Sequence, residues 1–294
     1  MNHIVYHYCT PNVFKEIIEK KSIRLSDVTE SNDSKEIVCN NEFIKGYLQS
    51  KINGFCKRNK IKRDDKENLH QIIFNHFSSF MEEFYYKPYV CCFSFEGDLL
   101  SQWRGYADNG KGFAIGFDLE KLKVIGQPEK DDPISNNIFE LGDVIYEEKE
   151  QKRRIRIIIN ELFNWYDELI KLDGFKISEL MSYANTIMLF LFKNCLLYKN
   201  NFFKEEKEWR LCFCSNVNSK VKNIFIPKGY SFSEIAYFLR EERLVSYIDL
   251  NFGQHPEIIK RIIVGPKNNS NMVKEFLLRN GIKCEIAKSR GSYR

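Results

Sequence analysis

The chain runs to 294 residues, 43% hydrophobic and 14% aromatic, and its 45 Lys and Arg against 40 Asp and Glu leave a net charge of +5. That size and apolar content exclude a disordered tail or a fibrous repeat, and they supply core for one large domain or two small ones. The charge excess is mild, so it permits an anionic partner such as a nucleotide or nucleic acid without demanding one.

In chain order, His3–Tyr8 reads as an opening strand. Thr10-Pro11 then starts a helix, with Thr10 as N-cap and Pro11 at the first helical position. Val13, Phe14, Ile17 and Ile18 form one apolar stripe on that helix. Ser22–Ser26 returns as a strand and leads into the polar loop VTESNDSKE. Helices are expected over Glu36–Phe55 and Lys66–Tyr86, and Tyr89–Phe95 is a buried strand. Asp98 is expected to cap a short helix through Tyr106, Asp108–Lys111 is a turn, and Gly112–Asp118 is a strand with alternating Phe113, Ile115 and Phe117.

Further on, Gln127–Gly142 reads as a surface loop and Asp143–Tyr146 as a strand, before long helices at about Glu150–Leu172 and Ile177–Lys199. Strands follow at Glu208–Cys214, Asn223–Pro227 and Leu244–Asn251. The chain closes with a strand at Arg261–Val264, a helix at Asn271–Arg279 and a strand at Lys283–Ala287, which is the length of a β-α-β crossover. The expected organisation is a single α+β domain over 1–294 with a helical insertion at about 150–200.

Nine cysteines occur without a CxxC or a histidine at ligand spacing, so no metal site is expected. The most apolar segment, Ile187–Tyr198, is interrupted by Lys193 and too short to span a bilayer. Together with the odd cysteine count and the lack of a signal peptide, this makes a soluble protein of the reducing cytoplasm the expectation, with no membrane partner. No Walker loop, GxGxxG, GxSxG or HExxH motif occurs, which leaves dehydrogenase, P-loop and zinc-protease readings without support.

Three separated segments carry the chemistry: YHYCT at Tyr6–Thr10, SQWRGYADNGKGFAIGFD at Ser101–Asp118, and EKEWRL at Glu206–Leu211. His7 faces the side of its strand opposite Tyr6 and Tyr8. Trp103 and Tyr106, three apart on a helix, share a face that serves either as core or as a stacking wall for a planar ring. Glu206, Glu208 and Arg210 alternate, so in a strand all three point one way. Two carboxylates that close repel unless Arg210 or a cationic ligand offsets them. The pattern is therefore either an exposed edge strand with its own salt bridge or a site that stabilises developing positive charge.

In this order the residues resemble a bacterial family catalogued as domain of unknown function 2971. The likeness rests on YHYCT, SNDSKE, CCFSF, WRGYADNGKGFAIGFD and EKEWR, and extends to Ile262-Ile263-Val264-Gly265; Ser34 stands where the family's turn has proline. The motif order is in turn similar to ADP-ribosyltransferases of the His-Tyr-Glu type, which cleave the nicotinamide–ribose bond of NAD. That resemblance implies a mixed, mainly antiparallel split sheet with helical insertions, and NAD as substrate with no metal. It implies that His7 bonds a ribose hydroxyl with Thr10 assisting, and that Tyr106 with Trp103 stacks on nicotinamide. Glu208 or Glu206 would stabilise the ribosyl cation, with Arg210 among the NAD-binding residues. The acceptor would be nucleic acid or protein, and the role that of a toxin or anti-phage effector. The alternative is a non-catalytic nucleotide- or nucleic-acid-binding module, in which the basic runs Lys57–Arg63 and Lys152–Arg156 act with Trp103 and Tyr106. The enzyme reading requires His7, Tyr106 and Glu208 to meet in one cleft.

Overall fold

The computed structural model describes residues 4–30, 40–81, 86–125, 139–172, 180–216, 227–240 and 242–291. The SNDSKE turn and residues 223–226 of the expected Asn223–Pro227 strand lie outside them. The chain divides into two compact units, one of Met1–Val28, Tyr89–Val144 and Lys204–Arg294, the other of Thr29–Pro88 and Ile145–Phe203.

The first unit is built on a mixed α/β fold with a mostly antiparallel, open sheet. Its described strands are β1 (Ile4–Cys9), β2 (Ser22–Asp27), β3 (Tyr86–Ser94), β4 (Phe113–Asp118), β5 (Phe139–Asp143), β6 (Glu208–Asn216), β7 (Ser231–Phe232), β8 (Ala236–Arg240), β9 (Arg243–Asn251), β10 (Ile259–Val264) and β11 (Glu285–Lys288). They run in the order β11-β10-β4-β1-β3-β2-β9-β7, with β6 joining β3 to β5 and β8 pairing with β9. β1 pairs with β4 antiparallel along its whole length, from Ile4↔Asp118 to Cys9↔Phe113. Its register with β3, by contrast, consists of Tyr6↔Ser94 alone. β10 and β11 are parallel, joined across α8 (Val273–Arg279), as the crossover spacing predicts.

Helix α1 (Pro11–Lys20) begins where the Thr-Pro pair places it: the Thr10 hydroxyl accepts a hydrogen bond from the Val13 amide at 3.4 Å. Phe14, Ile17 and Ile18 are buried, but Val13, at the rim of the stripe, is 43% exposed. Thr10→Ala is expected to cost about 1 kcal/mol in chemical denaturation, the ordinary value of one N-cap.

The strand at Phe113–Asp118 alternates as expected, yet both of its faces are covered. Phe113, Ile115 and Phe117 enter the main core with Val5, Cys9 and Phe93, while Ala114 joins Tyr6, Tyr8, Trp103, Ala107 and Ile263 on the opposite face. Gly112 leads into it because a Cβ there would lie 2.0 Å from the Cys9 carbonyl oxygen. Two strands depart most from the sequence reading, and the expected strand at Asp143–Tyr146 is replaced by one that ends at Asp143. β5 starts at Phe139, inside the expected loop, because antiparallel pairing from Phe139↔Phe213 to Asp143↔Trp209 overrides the turn-forming composition around it. The hairpin strand β8 was not foreseen, because its largely exposed AYFLR segment lacks a clear buried face.

Among the described residues the second unit holds α2 (Asn41–Arg58), α3 (Arg63–Met81), α6 (Glu148–Leu169) and α7 (Leu180–Cys195), while α4 (Leu100–Tyr106) and α5 (Leu119–Ile125) belong, with α1 and α8, to the first. Ile44, Leu48, Ile52 and Phe55 on α2, Leu69, Ile73 and Phe77 on α3, and Ile155, Ile159 and Leu162 on α6 recur at helical spacing and are buried. α2 packs on α3 and α6, and α7 packs on those same two helices. The basic runs lie on this unit's surface, where Arg153 and Arg154 pair with Glu150 and Arg58 with Asp167. Among the described residues no helix is long and apolar enough to cross a membrane.

Candidate functional site

His7, Tyr8, Cys92, Phe93, Gln102, Tyr106, Glu206 and Glu208 line one cleft of about 70 Å³. β1, β3, α4 and the start of β6 each contribute, so all three chemistry-bearing segments reach it. It lies beside β1 and β3, whose register is confined to Tyr6↔Ser94.

The His7 ring sits edge-on to Phe93, with centroids 5.9 Å apart, and its Nδ1 lies 3.0 Å from the Cys92 carbonyl oxygen. A carbonyl can only accept, so Nδ1 carries the proton and, in the neutral ring, Nε2 is an acceptor. Burial pulls the His7 pKa below its ordinary value, against the opposing effect of the Cys92 bond, which keeps the ring neutral near pH 7. The unfolded chain therefore takes up this proton at a higher pH than the folded one. Stability from His7 is full above the ordinary imidazole range and is lost as pH falls through that range toward the lowered folded pKa. Urea unfolding at pH 7.5 and 5.5 is expected to show a smaller pH dependence in His7→Gln than in the wild type; equal dependence would count against a half-buried ring kept neutral.

Glu208 opens β6 and is 5% exposed. Both of its carboxylate oxygens are held by Arg210, Oε1 by Nε at 2.9 Å and Oε2 by Nη2 at 3.1 Å. Burial works to lower the Arg210 pKa, but the Glu208 carboxylate outweighs it and holds the guanidinium well above its ordinary range. The pair is thus a desolvated, bidentate one on a strand flanked by β3 and β5, and the exposed edge-strand reading does not apply. Arg210 itself is 5% exposed and is not among the residues lining the cleft; it orients Glu208 from behind.

Glu206 departs from the expected alternation. It ends a 3-10 turn, Asn201–Glu206, and Lys207 follows in the left-handed region at φ 45°, so the strand starts only at Glu208. Both carboxylates still line the cleft. Tyr106 donates its hydroxyl proton to Glu206 Oε1 at 3.4 Å, and the Ser94 hydroxyl donates to the Glu206 carbonyl at 2.6 Å.

Trp103 and Tyr106 do not form one wall. Trp103 is 2% exposed, packs edge-on against Tyr8 at 4.9 Å, and donates its indole N–H to Asp98 Oδ1 at 2.7 Å. Tyr106 is 48% exposed and lines the cleft. Asp98 is accordingly not a helix cap: its carboxylate also accepts from the Ser289 hydroxyl and the Arg290 amide, while the N-cap position falls to Leu99. Thr10 caps α1 and is not in the lining. Gln102, Tyr8, Cys92 and Phe93 line the cleft without having been singled out beforehand. The spacing that would have found Gln102 is i to i+4, which puts it on the helix face of Tyr106.

A second groove, of about 240 Å³, shares His7 with this cleft and is bordered by Lys20, Arg24, Phe238, Arg240 and Asp249. The Arg24 guanidinium lies 3.7 Å above the Tyr247 ring and 3.5 Å from Asp249. Among the described residues no cluster of three His, Cys, Asp or Glu side chains is arranged to hold a metal ion.

Neither a curated protein nor a solved structure matches the chain. Its resemblance to a known family is carried by the middle of the chain: the family model described as Protein of unknown function (DUF2971) matches residues 102–211, a span from Gln102 of the cleft helix through Glu208 and Arg210.

Proposed function

We propose that the cleft is the nicotinamide-ribose end of an NAD site and that the protein transfers ADP-ribose from NAD to a nucleophile. One observation carries this reading: His7, Tyr106, Glu206 and Glu208, from segments far apart in sequence, line a single cleft. The narrow β1–β3 register beside that cleft supports a split-sheet arrangement of the ADP-ribosyltransferase kind.

The chemistry asks little of the protein as an acid. The C1′–N1 bond of NAD breaks with its electron pair passing to the pyridinium nitrogen, so nicotinamide leaves neutral. The positive charge then resides on the ribose, and the acceptor's lone pair forms the new bond to C1′ with loss of the acceptor's proton to solvent. Glu208, desolvated and fixed by Arg210, stabilises that charge best when it is greatest, in the transition state. The Tyr106 ring offers a face to the cationic pyridinium, and His7 Nε2 accepts from a ribose hydroxyl.

Neither cavity alone reaches the about 300 Å³ at the lower end of ligand pockets, and His7 lines both of them. In this reading the diphosphate lies in the groove against Lys20, Arg24 and Arg240. The test is incubation with NAD and cell extract, following nicotinamide release and label transfer. Release that depends on Glu208 supports the reading. No release, or unchanged release in Glu208→Gln, overturns it, and salt-sensitive nucleic-acid binding without turnover would favour the non-catalytic module instead.

A further inference from the structure

Resting on the NAD reading, we infer that Gln102 reads the carboxamide of the bound ring and so sets which pyridine the cleft accepts. Gln102 is 8% exposed, lines the cleft, and sits one helical turn before Tyr106. Its side-chain amide makes no hydrogen bond to any described residue. An amide that no protein group satisfies takes its hydrogen bonds from whatever occupies the cleft it lines. The cleft is where partners for it would come from.

A primary amide offers one oxygen acceptor and two N–H donors. Its natural complement is another primary amide, because the two pair in a cyclic arrangement of two hydrogen bonds. A carboxylate cannot do this, since its oxygens only accept and would face the Gln102 oxygen lone pairs. A methyl ketone keeps the acceptor but has no N–H for Gln102 to receive. Glu206 and Glu208 add a second bias against an anionic ring substituent and, as acceptors, can take only an amide N–H. Gln102 offers the carboxamide both a donor and an acceptor, and this separates its role from that of the carboxylates. The consequence is a specificity-determining residue for a ring carrying a neutral carboxamide.

The probes are nicotinamide and 3-acetylpyridine, titrated separately onto the full chain and followed by ligand-observed magnetic resonance. The wild type is expected to bind nicotinamide roughly tenfold more tightly, the size of one lost buried hydrogen bond. In Gln102→Met, close in shape but without the amide, the two probes should bind alike; Gln102→Leu provides a second variant, with folding of both checked by thermal melting. Equal binding of the two probes to the wild type overturns the inference, as does failure of nicotinamide to bind, or a preference that survives in a folded variant. The two readings fail separately. A Gln102-dependent preference without NAD turnover keeps this inference and removes the enzyme. NAD turnover with a preference indifferent to Gln102 does the reverse.

Discussion

Replacing Glu208 with glutamine is expected to lower nicotinamide release from NAD by at least about a hundredfold, the scale seen when one group aimed at a developing charge is removed. Glutamine keeps the shape and one acceptor oxygen but not the charge that a ribosyl cation needs. The substitution also has a structural cost, because Arg210 is 5% exposed and loses its ionic partner. Truncation to alanine would remove the carboxylate from that buried guanidinium, with an expected loss of about 3–5 kcal/mol. The catalytic and structural effects can be separated. Glu208→Leu combined with Arg210→Met removes both charges, and it is expected to recover most of the stability while remaining inactive. Glu206→Gln should cost less activity, since Glu206 is only partly buried and accepts from the Tyr106 hydroxyl. A Glu206 variant more impaired than the Glu208 variant would exchange their roles.

Trp103→Ala is expected to destabilise the fold by about 3–5 kcal/mol, the usual cost of emptying a large aromatic site in a core. The indole is closed in by Tyr8, and its N–H holds Asp98, which in turn receives Ser289 and the Arg290 amide. Trp103→Phe keeps most of the packing and loses the hydrogen bond, at an expected cost of about 1–2 kcal/mol. Urea unfolding measures both. If Trp103→Ala left stability within 1 kcal/mol while abolishing ligand binding, the residue would be a stacking wall after all. Stability lost first, with binding following it, fits a side chain that supports α4 from inside and leaves the cleft to Gln102 and Tyr106.

The regular elements were largely legible because they obey local rules. Thr10-Pro11 starts a helix wherever it occurs before an apolar stripe, and the β10–α8–β11 ending follows from spacing and a glycine stop. The gathering of His7, Tyr106 and Glu208 was legible only as a resemblance of motif order, since nothing local brings residues two hundred positions apart together. Two site details were misjudged for physical reasons. Alternation in EKEWR presumed an extended backbone through Lys207, which instead takes a left-handed conformation and ends a turn. On α4, the spacings from Gln102 and from Trp103 to Tyr106 both place a pair on one helix face, and only packing from Tyr8 and Asp98 decides which residue turns inward.

Sequence alone determined most of the regular elements and the sides of β1 on which His7 and its tyrosines lie, and it offered Arg210 as a partner for Glu208, because each depends on neighbours within a few residues. Tertiary structure decided which of those groups face a shared cavity. It sealed Trp103 into the core, placed Arg210 behind Glu208, and set Gln102 in the lining of the cleft. Such outcomes depend on what strands and helices from elsewhere in the chain press against each side chain, and a linear pattern carries no term for that.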